Sequence, residues 1–290
     1  MGFVADIRNR IGEIILPKLP KKLAHKCIYL FIHGKKINFD NPVTYDEKIH
    51  WHILHTYNDD YKDYADKIKV RDYVKECGLE DILIPIVGGP YKKPEDIDFD
   101  NLPEQFVLKT NHASGPDHLY ICKDKSAISE EEKVKIRKQF KKALKDNFVK
   151  IGCEYHYKNI KPMIYCEELL DDGHDRMTDY KIVCTKGTPH AILVCSDRYG
   201  GRDYYSTNWE YLDYTKEEFR SKDMIKRPEH LDEMLKAAAI LSKRFPIARV
   251  DFYEASGKIY FGEVTLSPSG GNHRYLKEKG QIELGKYIEL

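Results

Sequence analysis

Four side chains near the C-terminus have the types and the spacing that could bind a divalent cation and a phosphate. Arg249 and Asp251 lie on one predicted strand and Glu263 and Thr265 on the next, with a turn at residues 256–257 between them. Side chains alternate between the faces of a strand, so all four share one face if Asp251 pairs opposite Glu263. Mg²⁺ takes one or two protein carboxylates plus substrate phosphates, and a guanidinium matches a pair of phosphoryl oxygens.

This interpretation requires that the turn between the two strands set the register that places Asp251 opposite Glu263. The pairing needs a loop with an odd number of residues, or a bulge near Gly257 that corrects the register. An even loop without a bulge would send the two carboxylates to opposite faces. The alternative is an ordinary amphipathic hairpin whose polar face lies in water, and this segment by itself leaves both open.

The composition bounds the class of protein. The 290 residues leave room for two or three subdomains, and 48 Lys and Arg against 47 Asp and Glu argue against a nucleic-acid binder that relies on bulk charge. The seven cysteines include no CxxC pair, which predicts reduced thiols in a cytosolic protein. No stretch approaches the length of a membrane span. Residues 1–36 combine apolar and lysine side chains, so they predict either a helix on an anionic membrane surface or a helix packed on protein.

Helix and strand signals alternate along the chain. Thr44 and Glu47 form a capping box before one helix, residues 65–67 open another, and Ser129 begins a long charged helix to about Phe148. A further helix is predicted over residues 231–245. Strands are predicted over residues 82–87, 105–110, 118–122, 162–166, 179–185 and 190–195, the last two joined by a turn at residues 186–187.

Two further segments have residues that could contact a nucleotide. Lys109 ends an apolar strand just before a loop of small and polar residues, 111–115, whose backbone N–H groups could meet phosphate oxygens. A lysine at an ordinary surface turn is the alternative. Glu167 and Glu168 follow another apolar strand, where they could face an adenine edge, or could simply mark a strand leaving the core.

A third segment places Asp179 and Lys181 on one face of a strand. The aspartate can accept from ribose hydroxyls and the lysine can meet phosphate. A cross-strand ion pair at the surface explains the same two residues equally well.

Taken in order, these segments resemble the ATP-grasp superfamily and, within it, the TupA-like branch found among capsule and exopolysaccharide proteins. The resemblance runs from about residue 38 to the C-terminus. It implies an α+β, ATP-grasp fold in which two α+β subdomains grip ATP, with a helical N-terminal extension. The implied divisions are an extension at 1–60, a small α/β portion at 61–104, a lid subdomain at 105–166 and a C-terminal subdomain with the metal site at 167–290.

The matching motifs are NPVTYDEKI at 41–49 with Trp51, ADK at 65–67 with Arg71, LP at 102–103, FVLK at 106–109, NH at 111–112, EE at 167–168, DYK at 179–181, RVDFY at 249–253, FGEVT at 261–265 and PSG at 268–270.

The resemblance also implies ATP and Mg²⁺ as ligands and a role for each matched residue. Arg249 and Lys109 would stabilise the transferred phosphoryl group, and Asp251, Glu263 and Thr265 would be the metal ligands. Many relatives carry asparagine where this chain has Thr265, which puts a second Mg²⁺ in question. The ATP-binding set would be Lys67, Lys109, Asn111, Ser114, Gly115, Glu167, Glu168, Leu169, Asp179 and Lys181.

The implied activity is an ATP- and Mg²⁺-dependent ligase that converts a carboxylate to an acyl phosphate and joins it to an amine. For a polysaccharide protein the implied substrates are a uronic acid and an amino acid or amino sugar, with Arg198, Arg202 and Arg274 as candidate contacts to the acid or as ordinary surface charges. His112 and His273 would contact substrate or serve the structure. The alternatives are a transferase of the same pathway, either an ATP-grasp kinase or a glycosyltransferase, and a non-catalytic scaffold.

Overall fold

Two antiparallel sheets organise the chain. The structure is a computed structural model that describes residues 16–146, 153–173, 177–195 and 201–290. The smaller sheet has the order β1-β4-β2-β3 and the larger has the order β10-β9-β5-β6-β7-β8. The strands are β1 (Ile86–Tyr91), β2 (Phe106–Thr110), β3 (Leu119–Cys122), β4 (Ile164–Glu168), β5 (Asp179–Thr185), β6 (Thr188–Cys195), β7 (Asp203–Ser206), β8 (Tyr211–Leu212), β9 (Ala248–Ala255) and β10 (Lys258–Thr265).

The helices of the described residues surround these sheets, and together with them confirm the predicted α+β class. Short 3₁₀ turns connect several of the elements. The α-helices are α1 (Lys21–His33), α2 (Tyr45–His55), α3 (Tyr61–Ala65), α4 (Val70–Glu76), α5 (Glu130–Ala143), α6 (Leu231–Ser242) and α7 (Glu278–Lys286).

Local sequence signals explain where several elements begin and turn. The predicted capping box starts α2, because the Thr44 side chain accepts from the Glu47 N–H while the Glu47 carboxylate accepts from the Thr44 N–H. Ser129 caps α5 because its side-chain oxygen accepts from the Glu132 N–H. Lys186 and Gly187 both adopt positive φ, 47° and 86°, which matches the two-residue turn that joins β5 to β6.

Each sheet packs a helix against its apolar face. Helix α6 buries Leu231, Met234 and Leu241, a helical spacing, against the apolar side of the larger sheet. Helix α5 is mostly charged but buries Ile136 and Phe140 against the smaller sheet. These cores leave the other face of β9 and β10 free to carry the polar side chains of the site.

Two predicted element positions differ from the structure. The strand predicted over residues 82–87 is wrong, because Glu80–Ile82 forms a 3₁₀ turn and β1 begins only at Ile86. Strand β1 lies at the edge of its sheet, where Pro90 is tolerated inside a strand. The helix expected from residue 65 begins at Val70 as α4, after the short α3.

The two sheets can be compared with the predicted domain boundaries. Strand β1 is hydrogen-bonded to β4, although the predicted boundary at 104/105 separates them. Strand β4 ends at Glu168 and β5 begins at Asp179, so the two sheets part between these residues. Residues 1–15 of the predicted extension, and the predicted end of α5 near residue 148, lie outside the described residues.

Candidate active site

The β9–β10 hairpin carries the predicted cation site. Ser256 and Gly257 form a two-residue turn with positive φ, so plain pairing would set Asp251 and Glu263 on opposite faces. The register shifts by one residue at Gly262, and beyond this bulge Glu263 lies opposite Asp251. The correction that the sequence required is present, but it lies at Gly262 and not near Gly257.

Arg249 joins the four predicted side chains into one network. Its Nε and Nη2 donate to the two carboxylate oxygens of Asp251, each at 2.7 Å. The same Nη2 lies 3.0 Å from Oε1 of Glu263 and 3.1 Å from Oγ1 of Thr265. Asp251 is almost fully buried, and so large a desolvation is offset only by such charge-assisted hydrogen bonds.

Lys181 adds a second cation from the neighbouring strand. Strand β5 pairs with β9 so that Lys181 lies opposite Asp251, with Nζ 2.6 Å from Oδ2 of Asp251 and 3.5 Å from Oδ1 of Asp179. Burial lowers the pKa of Lys181, but the negative charges of Asp251 and Asp179 together raise it by more than this, so the net shift is upward. The lysine therefore carries a full positive charge at the site.

Lys67 connects the hairpin to the smaller sheet. The Asp66 carboxylate accepts from backbone N–H groups at the start of the next turn, which fixes the backbone here, and the Lys67 N–H donates to the carbonyl of Asn111 at 3.0 Å. The Lys67 side chain places Nζ 3.0 Å from the carbonyl of Ala113 and 3.3 Å from Oε2 of Glu263. One ammonium group therefore touches both the loop after β2 and a predicted metal ligand.

The loop after β2 is anchored at one end and open at the other. The Asn111 side-chain amide binds the backbone of the segment that leads into β4, where its nitrogen donates to the carbonyl of Lys161 and its oxygen accepts from the N–H of Met163. Ser114 and Gly115 are exposed, and Gly115 has a φ of 111° with open space where a side chain would lie. Asn111 therefore holds the loop in place, while Ser114 and Gly115 are the residues available to a bound phosphate.

Lys109 lies in a second charged group on the smaller sheet. Its Nζ is 2.6 Å from Oε2 of Glu167, and Nη1 of Arg71 is 3.3 Å from Oε1 of the same carboxylate. Glu167 is buried, whereas Glu168 is exposed and Leu169 is half-buried. Arg71 matched the family pattern in the sequence, but its pairing with Glu167 was not predicted.

Charges from both groups act on the hydroxyl of Tyr253. The charge of Asp179 is the largest cause that raises the pKa of its hydroxyl, followed by burial, Glu263, Asp251 and Glu167. The first three carboxylates belong to the larger sheet and Glu167 belongs to the smaller one. Together with the contacts of Lys67 at Ala113 and Glu263, this brings predicted site residues of both sheets to one region.

The donors present fit Mg²⁺. Among the residues that the structure describes, no three His, Cys, Asp or Glu side chains are grouped to hold a metal ion. A cation at the hairpin would thus take the two carboxylates of Asp251 and Glu263, with phosphate and water oxygens completing its shell, as Mg²⁺ commonly does. Burial opposes the charge of Glu263, but Lys67, Arg249 and Lys181 lower its pKa well below the ordinary range, which keeps it available as an anionic ligand.

The residues that the sequence offered as substrate contacts lie in different surroundings. Arg202 lies over the ring of Tyr275 at 5.0 Å, and Arg274 lies over the ring of Phe31 at 5.9 Å. His273 contacts the buried carboxylate of Asp46, with 2.5 Å between Nδ1 and Oδ1, which is a structural role. His112 is buried, and burial lowers its pKa to about 4. Arg198 lies outside the described residues.

The structure thus brings together a hairpin with two carboxylates, an open loop and lysines from both sheets, the side chains that the sequence predicted for an ATP and metal site. A family model described as "TupA-like ATPgrasp" matches residues 47–289. The chain therefore belongs to the TupA-like ATP-grasp family, as the sequence predicted. No curated protein is similar enough to match the chain.

Several solved structures are similar to this chain at low identity. D-alanine–D-alanine ligase from Helicobacter pylori is 17% identical, with a TM-score of 0.42, over 78% of this chain and 61% of that one. L-amino acid ligase from Bacillus licheniformis is 12% identical, with a TM-score of 0.47, over 87% and 56% of the two chains. The ATP-grasp ligase PsnB, in complex with a precursor variant, Mg and ADP, is 12% identical, with a TM-score of 0.42, over 83% and 65%. The chain thus spans less than two thirds of the length of these proteins.

Proposed function

We propose that this protein is an ATP- and Mg²⁺-dependent carboxylate–amine ligase that forms an amide through an acyl phosphate. The observation that carries the proposal is the position of Lys67, whose ammonium contacts the loop at Ala113 and the carboxylate of Glu263. A scaffold has no need to bring a phosphate-type loop and a metal-type hairpin onto one cation. Membership of the TupA-like ATP-grasp family supports the same chemistry.

In this proposal the protein groups position substrates and balance charge. Asp251 and Glu263 hold Mg²⁺, which would screen the phosphate oxygens, and Thr265 adds a hydroxyl beside them. Lys67 and Lys109 bind ATP phosphates, and Arg249 stabilises negative charge on the phosphoryl group as a substrate carboxylate attacks it. Alignment of two bound reactants can supply on the order of 7–11 kcal/mol of the reduction in barrier.

The same site gives each remaining predicted residue a place in ATP binding. Glu167, Glu168 and Leu169 end β4 and would form the hinge against adenine, while Asp179 would accept from the ribose. For Glu167 this requires that bound ATP replace its contact with Lys109, which frees the lysine for phosphate. Ser114 and Gly115 would close over the phosphates from the exposed loop.

We further propose an acidic sugar as the carboxylate substrate, in a pathway of capsule or exopolysaccharide synthesis. Arg202 lies over the ring of Tyr275 at 5.0 Å, and the charges of Arg249 and Arg202 both oppose the rise that burial causes in the pKa of the Tyr275 hydroxyl. A guanidinium there is placed to hold a second negative group of an acidic substrate. The amine would come from an amino acid or amino sugar.

One assay tests the reaction class. The protein is incubated with ATP, Mg²⁺ and a panel of uronic acids, with hydroxylamine as the trapping amine. ADP release together with a hydroxamate supports the ligase. A stable phosphorylated sugar would instead indicate a kinase, and turnover of a UDP-sugar without ATP would indicate a glycosyltransferase; either result would overturn the proposal.

We also propose a cytoplasmic location with peripheral contact to an anionic membrane. All seven cysteines are unpaired, which fits a reducing compartment. Helix α1 exposes about half of the side chains of Leu23, Leu30 and Phe31 on the side that also carries Lys26, with Lys22 nearby. An apolar stripe beside lysines is the pattern of a helix that lies in the membrane interface. No helix among the described residues is long and apolar enough to cross a membrane.

Vesicle sedimentation tests the membrane contact. The wild-type protein should sediment with vesicles that contain phosphatidylglycerol and remain in solution with pure phosphatidylcholine. Replacing Leu23, Leu30 and Phe31 by serine should abolish sedimentation. Val134→Ser, at a still more exposed apolar position on α5, is the control and should sediment like the wild type. Equal sedimentation of the triple variant would contradict the proposal.

A further inference from the structure

Arg71 connects the two sheets where β4 ends. It lies on α4, whose Val70, Tyr73 and Val74 are buried in the apolar core of the larger sheet. Its guanidinium reaches the smaller sheet, where Nη1 lies 3.3 Å from Oε1 of Glu167. The Arg71 side chain is 15% exposed and that of Glu167 is 7% exposed. Water and salt screen such a pair much less than a surface ion pair, so it can fix the orientation of the carboxylate.

The second terminal nitrogen of Arg71 fixes the guanidinium itself. Nη2 donates to the carbonyl of Ile84 at 2.7 Å, while Nη1 faces the Glu167 carboxylate. The next carbonyl along the chain, that of Pro85, accepts from the N–H of Glu168 at 3.0 Å. This segment and the end of β4 are therefore joined twice, once through Arg71 and once through the backbone. A planar guanidinium with two fixed contacts presents one orientation to the carboxylate, which a flexible ammonium group would not.

The two oxygens of the Glu167 carboxylate have different partners. Oε1 faces Arg71, whereas Oε2 accepts from Nζ of Lys109 at 2.6 Å. In the proposed complex ATP draws Lys109 to its phosphates, which leaves Oε2 open to a new donor. Glu167 is 5% exposed, so its negative charge would be costly to keep there without a cation. Arg71 is then the cation that stays beside the carboxylate and holds it in place.

We propose that Arg71 positions Glu167 to select adenine over guanine, an inference that rests on the proposed place of Glu167 in ATP binding. Adenine carries an exocyclic amine, which can donate to Oε2 of the carboxylate. Guanine carries a carbonyl oxygen at the same place, and the negative charge of Glu167 would repel it. Arg71 does not touch the nucleotide in this arrangement, because it acts through the orientation of Glu167. A carboxylate that was free to rotate could turn away from guanine and lose the selection.

Calorimetric titration with non-hydrolysable analogues of ATP and GTP, each with Mg²⁺, measures the selection without any acceptor substrate. The wild type should bind the ATP analogue at least about tenfold more tightly than the GTP analogue. In Arg71→Met the affinity for the ATP analogue should fall on the order of tenfold, the effect of weakening one hydrogen bond to a charged group, while that for the GTP analogue stays the same. Arg71→Lys keeps the charge and should restore part of the selection.

Lys75→Met is the matched control. It removes a cation from the same helix, but Lys75 pairs with the exposed Glu80 and not with the site. This variant should bind both analogues like the wild type.

A double-mutant cycle shows whether Arg71 acts through Glu167. Glu167→Gln replaces the carboxylate by an amide, which can accept from adenine or donate to guanine, so it should lose most of the selection. Adding Arg71→Met to Glu167→Gln should then change the ratio of the two affinities by less than about twofold. The double variant leaves no unpaired carboxylate in the protein interior, so it gives a folded protein to measure even if Arg71→Met alone is destabilised.

The outcomes separate this inference from the proposed function. If the wild type binds neither analogue, the proposed nucleotide site and this inference both fail. If the wild type binds the two analogues equally, or if Arg71→Met weakens both by the same factor, the inference is wrong while ATP binding stands. A further loss of selection when Arg71→Met is added to Glu167→Gln would show that Arg71 contacts the base directly, which would also overturn the inference.

Discussion

The ammonium of Lys67 lies 3.3 Å from Oε2 of Glu263, although Lys67 lies just before α4 and Glu263 lies on β10. The same ammonium contacts the carbonyl of Ala113 in the loop after β2. A contact of this kind brings the loop of the smaller sheet to the hairpin of the larger one. The proposed binding of a magnesium nucleotide depends on this convergence.

Glu263→Gln should nearly abolish ATP turnover while leaving the fold intact. The amide keeps the shape of the side chain but removes the negative charge that would bind Mg²⁺, so a loss on the order of 100- to 1,000-fold in kcat is expected. Glu254→Gln is the matched control, because Glu254 lies on β9 but pairs with His230 and not with the site. ADP release measured for both variants decides the question, and turnover near the wild-type level in Glu263→Gln would count against the assignment.

Lys109 and Glu167 make separable contributions to stability and to ATP binding. Lys109→Met leaves the buried Glu167 carboxylate with Arg71 alone, which should cost roughly 2–3 kcal/mol in the free energy of unfolding. Lys109→Met/Glu167→Gln removes the uncompensated charge and should recover most of that loss. The KM for ATP should rise at least tenfold in both variants, because neither has the phosphate lysine.

Denaturant titration and steady-state kinetics on the three proteins test this separation. If KM recovers together with stability in the double variant, Lys109 serves the fold alone. If KM stays high while stability returns, the proposed contact with phosphate is supported.

Gly262 should tolerate substitution poorly because of the bulge. A Cβ there would lie 3.1 Å from the carbonyl of Asp251 and 3.2 Å from the ring of Tyr253, so the hairpin must shift to accept it. Gly262→Ala should cost about 1–2 kcal/mol in stability and reduce ATP turnover about tenfold. Gly257→Asn is the control, since its Cβ meets open space and asparagine tolerates positive φ. Equal turnover in the two variants would mean that the bulge does not align the carboxylates.

The buried carboxylate of Glu154, which accepts a hydrogen bond from Ser267, predicts a pH dependence of stability with a definite sign. Burial raises its pKa from 4.5 to about 7 in the folded protein. Between these values the unfolded chain releases the proton and the folded chain keeps it, so the contribution of Glu154 to stability falls as pH rises through this window and is constant above it. At about 1.36 kcal/mol per pKa unit, the loss is at most about 3 kcal/mol.

Urea unfolding at pH 5 and pH 8 measures this effect. Relative to wild type, Glu154→Gln should gain about 2–3 kcal/mol between the two pH values, because the amide does not ionise. Glu218→Gln, at an exposed position, should show no such gain. An equal response of both variants would show that Glu154 ionises in the folded protein as it does in water.

Sequence patterns were sufficient for the parts of the site that depend on local order. Alternation along β9 and β10 placed Arg249 and Asp251 on one face, and the demand for a bulge followed from the even turn. The position of the bulge at Gly262 could not be predicted, since a bulge can occur anywhere along a hairpin. Lys181 reaches Asp251 only because β5 neighbours β9, and strand order has no local signature in one sequence.

Glu154 escaped sequence reasoning for a related reason. It lies in irregular chain, 113 residues before its partner Ser267, and no periodic pattern marks it. Arg71 was visible only as a match to a family pattern, because its role depends on a tertiary contact with Glu167. Charge pairs between distant segments are set by packing, which local propensity does not encode.

A crystal structure with Mg²⁺ and a non-hydrolysable ATP analogue tests the central claim most directly. We predict a metal ion about 2.1 Å from carboxylate oxygens of Asp251 and Glu263, with the nucleotide phosphates beside Lys67 and Lys109. A nucleotide bound elsewhere would contradict the account. A metal ion that contacts neither the Asp251 nor the Glu263 carboxylate would contradict it as well.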